Sequence, residues 1–171
     1  MEDMSFDPQV GDTVPNVILP VRVGETFSFL ETGIQFAGKR IILFALPGAF
    51  TPTCSTYQLP GFEELFSEFQ DKGIEEIYCL SVNDTFAMNN WFEQLGIKNV
   101  RPLPDGNGEF TYEIGAEVEK ANLGFGSRSW RYALVIYNGV IEKTFVEDGF
   151  GNNIDSDPYE VSTPQNVLEN L

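Results

Sequence analysis

The sequence contains no histidine among its 171 residues. This absence excludes nucleophile systems that use an imidazole base, such as Cys-His pairs and Ser-His-Asp triads, and nearly all ordinary zinc sites. Cysteine is scarce as well, because only Cys54 and Cys79 occur, and they form no CxxC dithiol site of the thioredoxin type. Any cysteine chemistry in this protein must therefore operate without an imidazole base.

Long apolar runs are also missing. The longest, Ile41–Leu46, has the length of a strand, whereas a membrane-spanning helix needs roughly 20 residues. The first four residues, Met1–Met4, are acidic and lack the basic start and apolar stretch of a signal peptide. We therefore expect a cytoplasmic protein that has no membrane partner.

Basic residues are few. The chain has 10 Lys and Arg against 26 Asp and Glu, which gives a net charge of −16. A surface this negative repels phosphate backbones and anionic membranes, so a nucleic acid is not an expected partner. A solvated surface is the favoured interpretation, ahead of an acidic recognition function. In a protein of such negative net charge, an arginine inside a cleft would be a positive charge in a negative electrostatic potential. Such an arginine would be a candidate functional residue.

The apolar content is sufficient for a folded core. Hydrophobic residues make up 42% of the chain, with 15 phenylalanines, and the length fits a single domain over residues 1–171. The apolar runs Ile41–Leu46 and Ile74–Val82 predict buried strands. Apolar residues at spacings of three and four predict a helix from about Pro52 to Lys72, with a break at Pro60-Gly61.

The other elements follow from turn signals and periodicity. Asn138-Gly139 is a two-residue hairpin signal between two strands. The remaining predictions are an extended Val10–Pro20, a strand Thr26–Leu30, a helix through Leu95 that is capped by Asn83 or Asp84, a turn-rich Pro102–Gly108, a short helix Glu109–Gly115, the strands Arg131–Tyr137 and Val140–Glu147, and a helix Pro164–Leu171 that is capped by Thr163 or Ser162. This order predicts an α/β domain of the thioredoxin-like fold, with a mixed central sheet and helices on both faces.

Cys54 lies where a buried strand turns into a helix. Thr51 is a suitable N-cap, and Pro52 suits the first helical position. Cys54 then falls in the first helical turn, where backbone N–H groups and the helix dipole favour an anion. Such positions favour the thiolate at neutral pH. The alternative for Cys54 is a small buried hydrophobe, which is the commonest role of a free cysteine.

Cys79 occupies the opposite kind of environment. It lies in the middle of the predicted strand Ile74–Val82, between Tyr78 and Leu80, without a helix terminus or a neighbouring charge. We expect a packed and inert thiol.

Four segments of the chain resemble the peroxiredoxins. The spacing Pro47-x-x-x-Thr51-x-x-Cys54 matches their PxxxTxxC pattern, and the string PGAFTPTCS…LPGF looks like the type II, peroxiredoxin-five-like branch. The second and third segments, Ser81-Val82-Asn83-Asp84 with the following helix and Gly126–Tyr132, are similar to further conserved blocks of that branch. The fourth segment resembles the family's next hairpin, Gly139–Glu147, and all four occur in the family's order.

The resemblance implies a role for each matching residue. Cys54 would be the peroxidatic cysteine, and Thr51 would offer its hydroxyl to the peroxide. Arg131 would hold the thiolate and the peroxide oxygens, and Pro47 would shield the pocket. Arg128 is either a further site residue or a surface or loop-bracing arginine.

Two departures from the family pattern shape the expected mechanism. Gln58 stands where many members carry a histidine, four residues after the catalytic cysteine. No cysteine follows Cys79, although members with an intramolecular resolving cysteine place it in the C-terminal third. The resemblance therefore implies a one-cysteine peroxidase that reduces hydrogen peroxide and organic hydroperoxides.

Further expectations follow from the same resemblance. The external reductant would be glutathione, a glutaredoxin or a thioredoxin, and neither a metal nor an organic cofactor is required. A homodimer is expected, paired through loops near the active-site face and Phe50. The competing hypothesis is a binding or regulatory protein that keeps the fold and uses its acidic surface for partners.

Overall fold

A computed structural model describes residues 5–171, so the acidic start Met1–Met4 lies outside the described residues. In chain order the helices and strands are β1 Ile18–Val23, β2 Thr26–Glu31, α1 Thr32–Gln35, β3 Arg40–Ala45, a π-helical turn Cys54–Gln58, α2 Leu59–Glu64, α3 Phe66–Asp71, β4 Glu76–Ser81, α4 Thr85–Gln94, β5 Arg101–Pro104, α5 Glu109–Ile114, β6 Glu117–Glu119, a 3₁₀ turn Ala121–Leu123, β7 Ser127–Ser129, β8 Tyr132–Tyr137, β9 Val140–Val146 and α6 Pro164–Glu169.

The central sheet has five strands in the order β5-β4-β3-β8-β9. Strand β3 pairs in parallel with β4, and β4 pairs in parallel with β5. On the other side of β3, strands β8 and β9 add antiparallel pairs. The predicted mixed sheet is confirmed, and the hairpin between β8 and β9 turns at Asn138 and Gly139, both with positive φ.

Helices cover both faces of this sheet, as predicted. On one face, α2, α3, α4 and α6 pack side chains such as Phe62, Phe69, Trp91 and Val167 against the strands. On the other face, Phe36 after α1 and Phe110 of α5 join a second apolar cluster. Strand β3 lies between the two clusters, which explains why its sequence is apolar without alternation.

The helix after Cys54 breaks at a different place from the predicted one. Pro60 lies in the first turn of α2, directly after the π-helical turn, where a missing N–H group costs little. Gly61 gives close packing instead of a break, because a Cβ there would lie 2.8 Å from Pro164. The helical stretch is interrupted at Leu65, between α2 and α3.

The sequence analysis missed two pairings. Part of the segment that was predicted to be turn-rich, Pro102–Gly108, belongs to the edge strand β5. Prolines are tolerated in an edge strand because one side of it needs no ladder hydrogen bonds. The predicted extended segment Val10–Pro20 also runs into β1, which forms a hairpin with β2 across Gly24.

Two features are absent from residues 5–171. Within that range, no helix is both long and apolar enough to cross a membrane. The same residues contain no cluster of three or more His, Cys, Asp or Glu side chains that could hold a metal ion.

Candidate active site

The turn between β3 and the π-helical turn places Cys54 at the base of the site. Helical structure begins at Pro52, so Cys54 lies in the first helical turn, as predicted, and its side chain is fully buried. Thr51 occupies the predicted N-cap position, directly before the helix, and its backbone oxygen accepts from the amide of Ser55. Its hydroxyl donates to the carbonyl of Gly48 at 2.7 Å.

The backbone of this turn is strained at Phe50. Its φ of 65° lies in the left-handed region, which is an outlier for a bulky side chain and costs about 1–2 kcal/mol. The neighbouring amide of Ala49 donates to Oδ1 of Asn83 at 2.9 Å, and that oxygen also accepts from Ser81. The end of β4 therefore fixes the turn that carries the cysteine.

Arg128 braces the same turn from the other side. Its Nη1 donates to the carbonyl oxygen of the buried Pro47 at 3.0 Å, and its Nε donates to the carbonyl of Phe125 at 3.1 Å. A Cβ on Gly48 would lie 2.6 Å from Nη1 of Arg128, so a larger residue there would displace the guanidinium. These contacts match the loop-bracing alternative for Arg128.

Arg131 is the cation that contacts the cysteine sulfur. Its Nη1 lies 3.5 Å from Sγ of Cys54 and also donates to Oε1 of Gln58. Its Nη2 donates to Oδ1 of Asp157 at 2.7 Å. Burial alone would lower the pKa of Arg131, but the charges of Cys54 and Asp157 raise it above its ordinary value. A buried, permanently charged guanidinium therefore lies beside the thiol.

The π-helical turn brings Cys54 and Gln58 toward the same guanidinium. The amide of Leu59 donates to the carbonyl of Cys54, five residues earlier, which is the spacing of a π-helix. Such turns occur mostly inside α-helices and frequently at functional sites. Gln58, four residues after Cys54, is fully buried and serves Arg131 as an oxygen acceptor.

Cys79 is buried in the middle of β4, as predicted. Burial, and to a smaller extent the proximity of Cys54, raises the pKa of the Cys79 thiol well above its ordinary value. Both thiols are free and belong to one apolar cluster. The arrangement gives Cys54 a cationic partner, whereas Cys79 stays a packed thiol.

Sequence reasoning missed three residues near this site. Asn83 was predicted as a possible helix cap and as part of the block Ser81–Asp84, and its side chain also holds the active-site turn. Asp157 lies in a loop without any motif, and only the fold brings it to Arg131. Lys120 is nearly buried, with its amine 6.0 Å from the centre of the Trp130 ring, and its burial lowers the pKa of that amine.

Comparison with known proteins decides the family. Residues 9–160 match the family model described as Redoxin. A peroxiredoxin of Rhizobium etli is 63% identical over 140 residues, which cover 82% of this chain and 78% of the relative. The chain belongs to the peroxiredoxins. A second peroxiredoxin, from Synechocystis, is 55% identical over 169 residues, covering 94% of this chain and 89% of its own.

Solved structures of peroxiredoxins agree with this assignment. The Plasmodium falciparum antioxidant protein, described as a 1-Cys peroxiredoxin, superposes with a TM-score of 0.91 at 37% identity, over 95% of this chain and 99% of its own. The resemblance found in the sequence and the thioredoxin-like fold are therefore confirmed. As a peroxiredoxin, the protein is a thiol-dependent peroxidase that takes peroxide substrates and a thiol reductant.

Proposed function

We propose that Cys54 is the peroxidatic cysteine of this peroxiredoxin and that Arg131 is its catalytic arginine. One observation carries the assignment: Nη1 of Arg131 lies 3.5 Å from Sγ of Cys54 inside a buried site. An adjacent positive charge favours the thiolate over the thiol. The site can therefore supply a nucleophile without histidine.

The reaction begins with attack of the Cys54 thiolate on one peroxide oxygen. A sulfur–oxygen bond forms as the oxygen–oxygen bond breaks, so sulfur loses two electrons and the peroxide gains them. The leaving alkoxide or hydroxide takes up a proton and departs as alcohol or water, and Cys54 becomes a sulfenic acid. Arg131 stabilises the negative charge that develops on the leaving oxygen.

Thr51 and Pro47 have supporting roles in this proposal. Because the Thr51 hydroxyl donates its proton to Gly48, its free lone pairs can accept a hydrogen bond from the peroxide O–H group. Pro47 shapes the wall of the pocket, and Arg128 fixes its carbonyl oxygen. The substrates would be hydrogen peroxide and organic hydroperoxides.

An external thiol restores Cys54 in this mechanism. Cys79 is buried in the middle of a strand, and the sequence has no cysteine after it. A mobile second thiol that could resolve Cys54 is therefore lacking in this sequence. The Plasmodium relative is described as a 1-Cys enzyme, which supports the same mechanism here. The first thiol displaces water from the sulfenic acid to form a mixed disulfide, and a second thiol releases Cys54. Glutathione, a glutaredoxin and a thioredoxin are the candidate reductants.

We expect the oxidised protein to form a mixed disulfide with glutathione. The protein is oxidised with one equivalent of peroxide, treated with glutathione and mapped by peptide mass spectrometry. Glutathione should be found on Cys54 and absent from Cys79. An oxidised Cys54 that leaves glutathione unbound, yet is reduced by a thioredoxin, would assign resolution to a protein reductant.

We also propose a homodimer that pairs through the face around Phe50. Phe50 is 49% exposed, and Tyr57 on the π-helical turn is 62% exposed, so apolar surface lies next to the site. Sedimentation at micromolar concentration should show a dimer. Phe50→Asp should shift it to monomer, whereas Tyr112→Asp, in the helix α5 on the other face of the sheet, should not. A wild-type protein that sediments only as a 19.1 kDa species would contradict the proposal.

The remaining proposals concern organisation and location. Residues 1–171 would form a single domain, because the two apolar clusters lie on opposite faces of one central sheet. A net charge of −16 supports a protein without nucleic-acid or membrane partners. A cytoplasmic location is part of the same proposal.

A further inference from the structure

A catalytic guanidinium must be held in one orientation. Arg131 has five N–H donors on a planar group, and rotation about its side-chain torsions would turn Nη1 away from Cys54. Gln58 accepts from Nη1, the same nitrogen that faces the sulfur. A second contact at the far end of the guanidinium is needed to fix the plane.

Asp157 provides that second contact. Its Oδ1 accepts from Nη2 of Arg131 at 2.7 Å, which is the length of a charge-assisted hydrogen bond. The Arg131 end of this ion pair is 2% exposed and the Asp157 end is 48% exposed. A nearly buried cation thus meets a carboxylate that reaches it from the surface, and such pairs exceed exposed salt bridges in strength.

Tyr159 of the same loop packs against the guanidinium. The Cζ atom of Arg131 lies 5.5 Å from the centre of the Tyr159 ring, within the range of a cation–π contact. Burial raises the pKa of Tyr159 to about 12, so the phenol stays neutral at physiological pH. Asp157 and Tyr159, two residues apart, therefore hold two sides of Arg131.

The loop that carries Asp157 is fixed on both sides of it. After Asp157, the buried carboxylate of Glu147 accepts the backbone amides of residues 160, 161 and 162 and the hydroxyl of Ser162. Before Asp157, the side chain of Asn152 accepts from the amide of Glu119, and the side chain of Asn153 accepts from the amide of Asn122. These anchors present Asp157 to Arg131 before any substrate enters.

We propose that Asp157 is a positioning residue of the peroxidase site, which fixes the Arg131 guanidinium so that Nη1 faces the sulfur of Cys54. The proposal rests on the assignment of Cys54 and Arg131 made above. Asp157 need not touch the peroxide. Its effect on the reaction passes through Arg131.

Asp157→Ala should lower the second-order rate constant for hydrogen peroxide by about tenfold, the loss expected for one charge-assisted hydrogen bond. Asp157→Asn retains an oxygen acceptor and should stay within about threefold of the wild type. Alkylation of Cys54 by iodoacetamide needs no oriented arginine, so it should change much less than the peroxide rate in both variants. Rates are followed by stopped flow, and the thermal midpoint Tm is recorded for each variant.

Asp155 supplies the matched control. It lies exposed on the same loop, two residues away and with the same charge, and Asp155→Ala and Asp155→Asn should keep the wild-type rate. A wild-type peroxide rate in Asp157→Ala would overturn the proposal. Equal losses of peroxide rate in Asp157→Ala and Asp155→Ala would also overturn it. An equal loss of rate in Asp157→Asn and Asp157→Ala would overturn it as well.

Failure of this proposal is distinguishable from failure of the proposed function. If Cys54→Ser is inactive while the Asp157 variants match the wild type, only the positioning role is wrong. If Cys54→Ser remains active, the assignment of the peroxidatic cysteine is wrong, and the positioning role is wrong with it.

Discussion

Cys54→Ser should abolish peroxide reduction, whereas Cys79→Ser should keep most of it. A serine hydroxyl beside Arg131 remains protonated at neutral pH and is a weak nucleophile, so the first step of the reaction is lost. Cys79 takes no part in that step, because it lies mid-strand and its burial disfavours the thiolate. The measurement is peroxide consumption with a supplied dithiol.

The control for the cysteine pair concerns folding. A hydroxyl at position 79 would be buried, and without a hydrogen-bond partner it would destabilise the protein by about 1–3 kcal/mol. Cys79→Ala avoids this penalty and should be at least as active as Cys79→Ser. Equal loss of activity in the Cys54 and Cys79 variants, with both proteins folded by circular dichroism, would overturn the assignment of Cys54.

Arg131→Met should slow the reaction with peroxide by about 10²–10³, the usual effect of removing one well-aligned donor from developing negative charge. Methionine fills much of the space of the arginine stem but carries neither charge nor N–H groups.

The matched control for this variant is Arg101→Met. Arg101 is an exposed residue of the edge strand β5, where it faces Glu76 at 3.6 Å, and β4 separates β5 from β3, the strand that leads into the active-site turn. The same loss of one positive charge there should leave the peroxide rate unchanged. An Arg131→Met enzyme with wild-type peroxide kinetics would remove that arginine from the site.

The elements predicted from the sequence are those that residues close together in the chain define. The apolar run Ile41–Leu46 marks β3, and Asn138-Gly139 marks the hairpin. Two helix caps follow the same logic, because Asp84 accepts from the amide of Ala87, and Thr163 accepts from the amide of Asn166. In both caps the residue that marks the start of the helix also accepts one of its first backbone amides.

The features that the sequence analysis missed depend on contacts between distant segments. Pro102 and Pro104 are residues typical of turns, but pairing with β4 places both of them in the edge strand β5. Asp157 carries no local signal, because its partner Arg131 lies 26 residues earlier in the chain. Such residues could be found only after the fold placed both partners together.

The most direct test of the account is the intact mass of the protein after one equivalent of peroxide in the absence of thiol. The protein should gain one oxygen atom, mapped by peptide digestion or by a sulfenic-acid reagent to Cys54. Excess peroxide should then add a second oxygen and inactivate the enzyme as the sulfinic acid. The loss of two hydrogens, mapped to a bond between Cys54 and Cys79, would contradict it and make Cys79 a resolving cysteine.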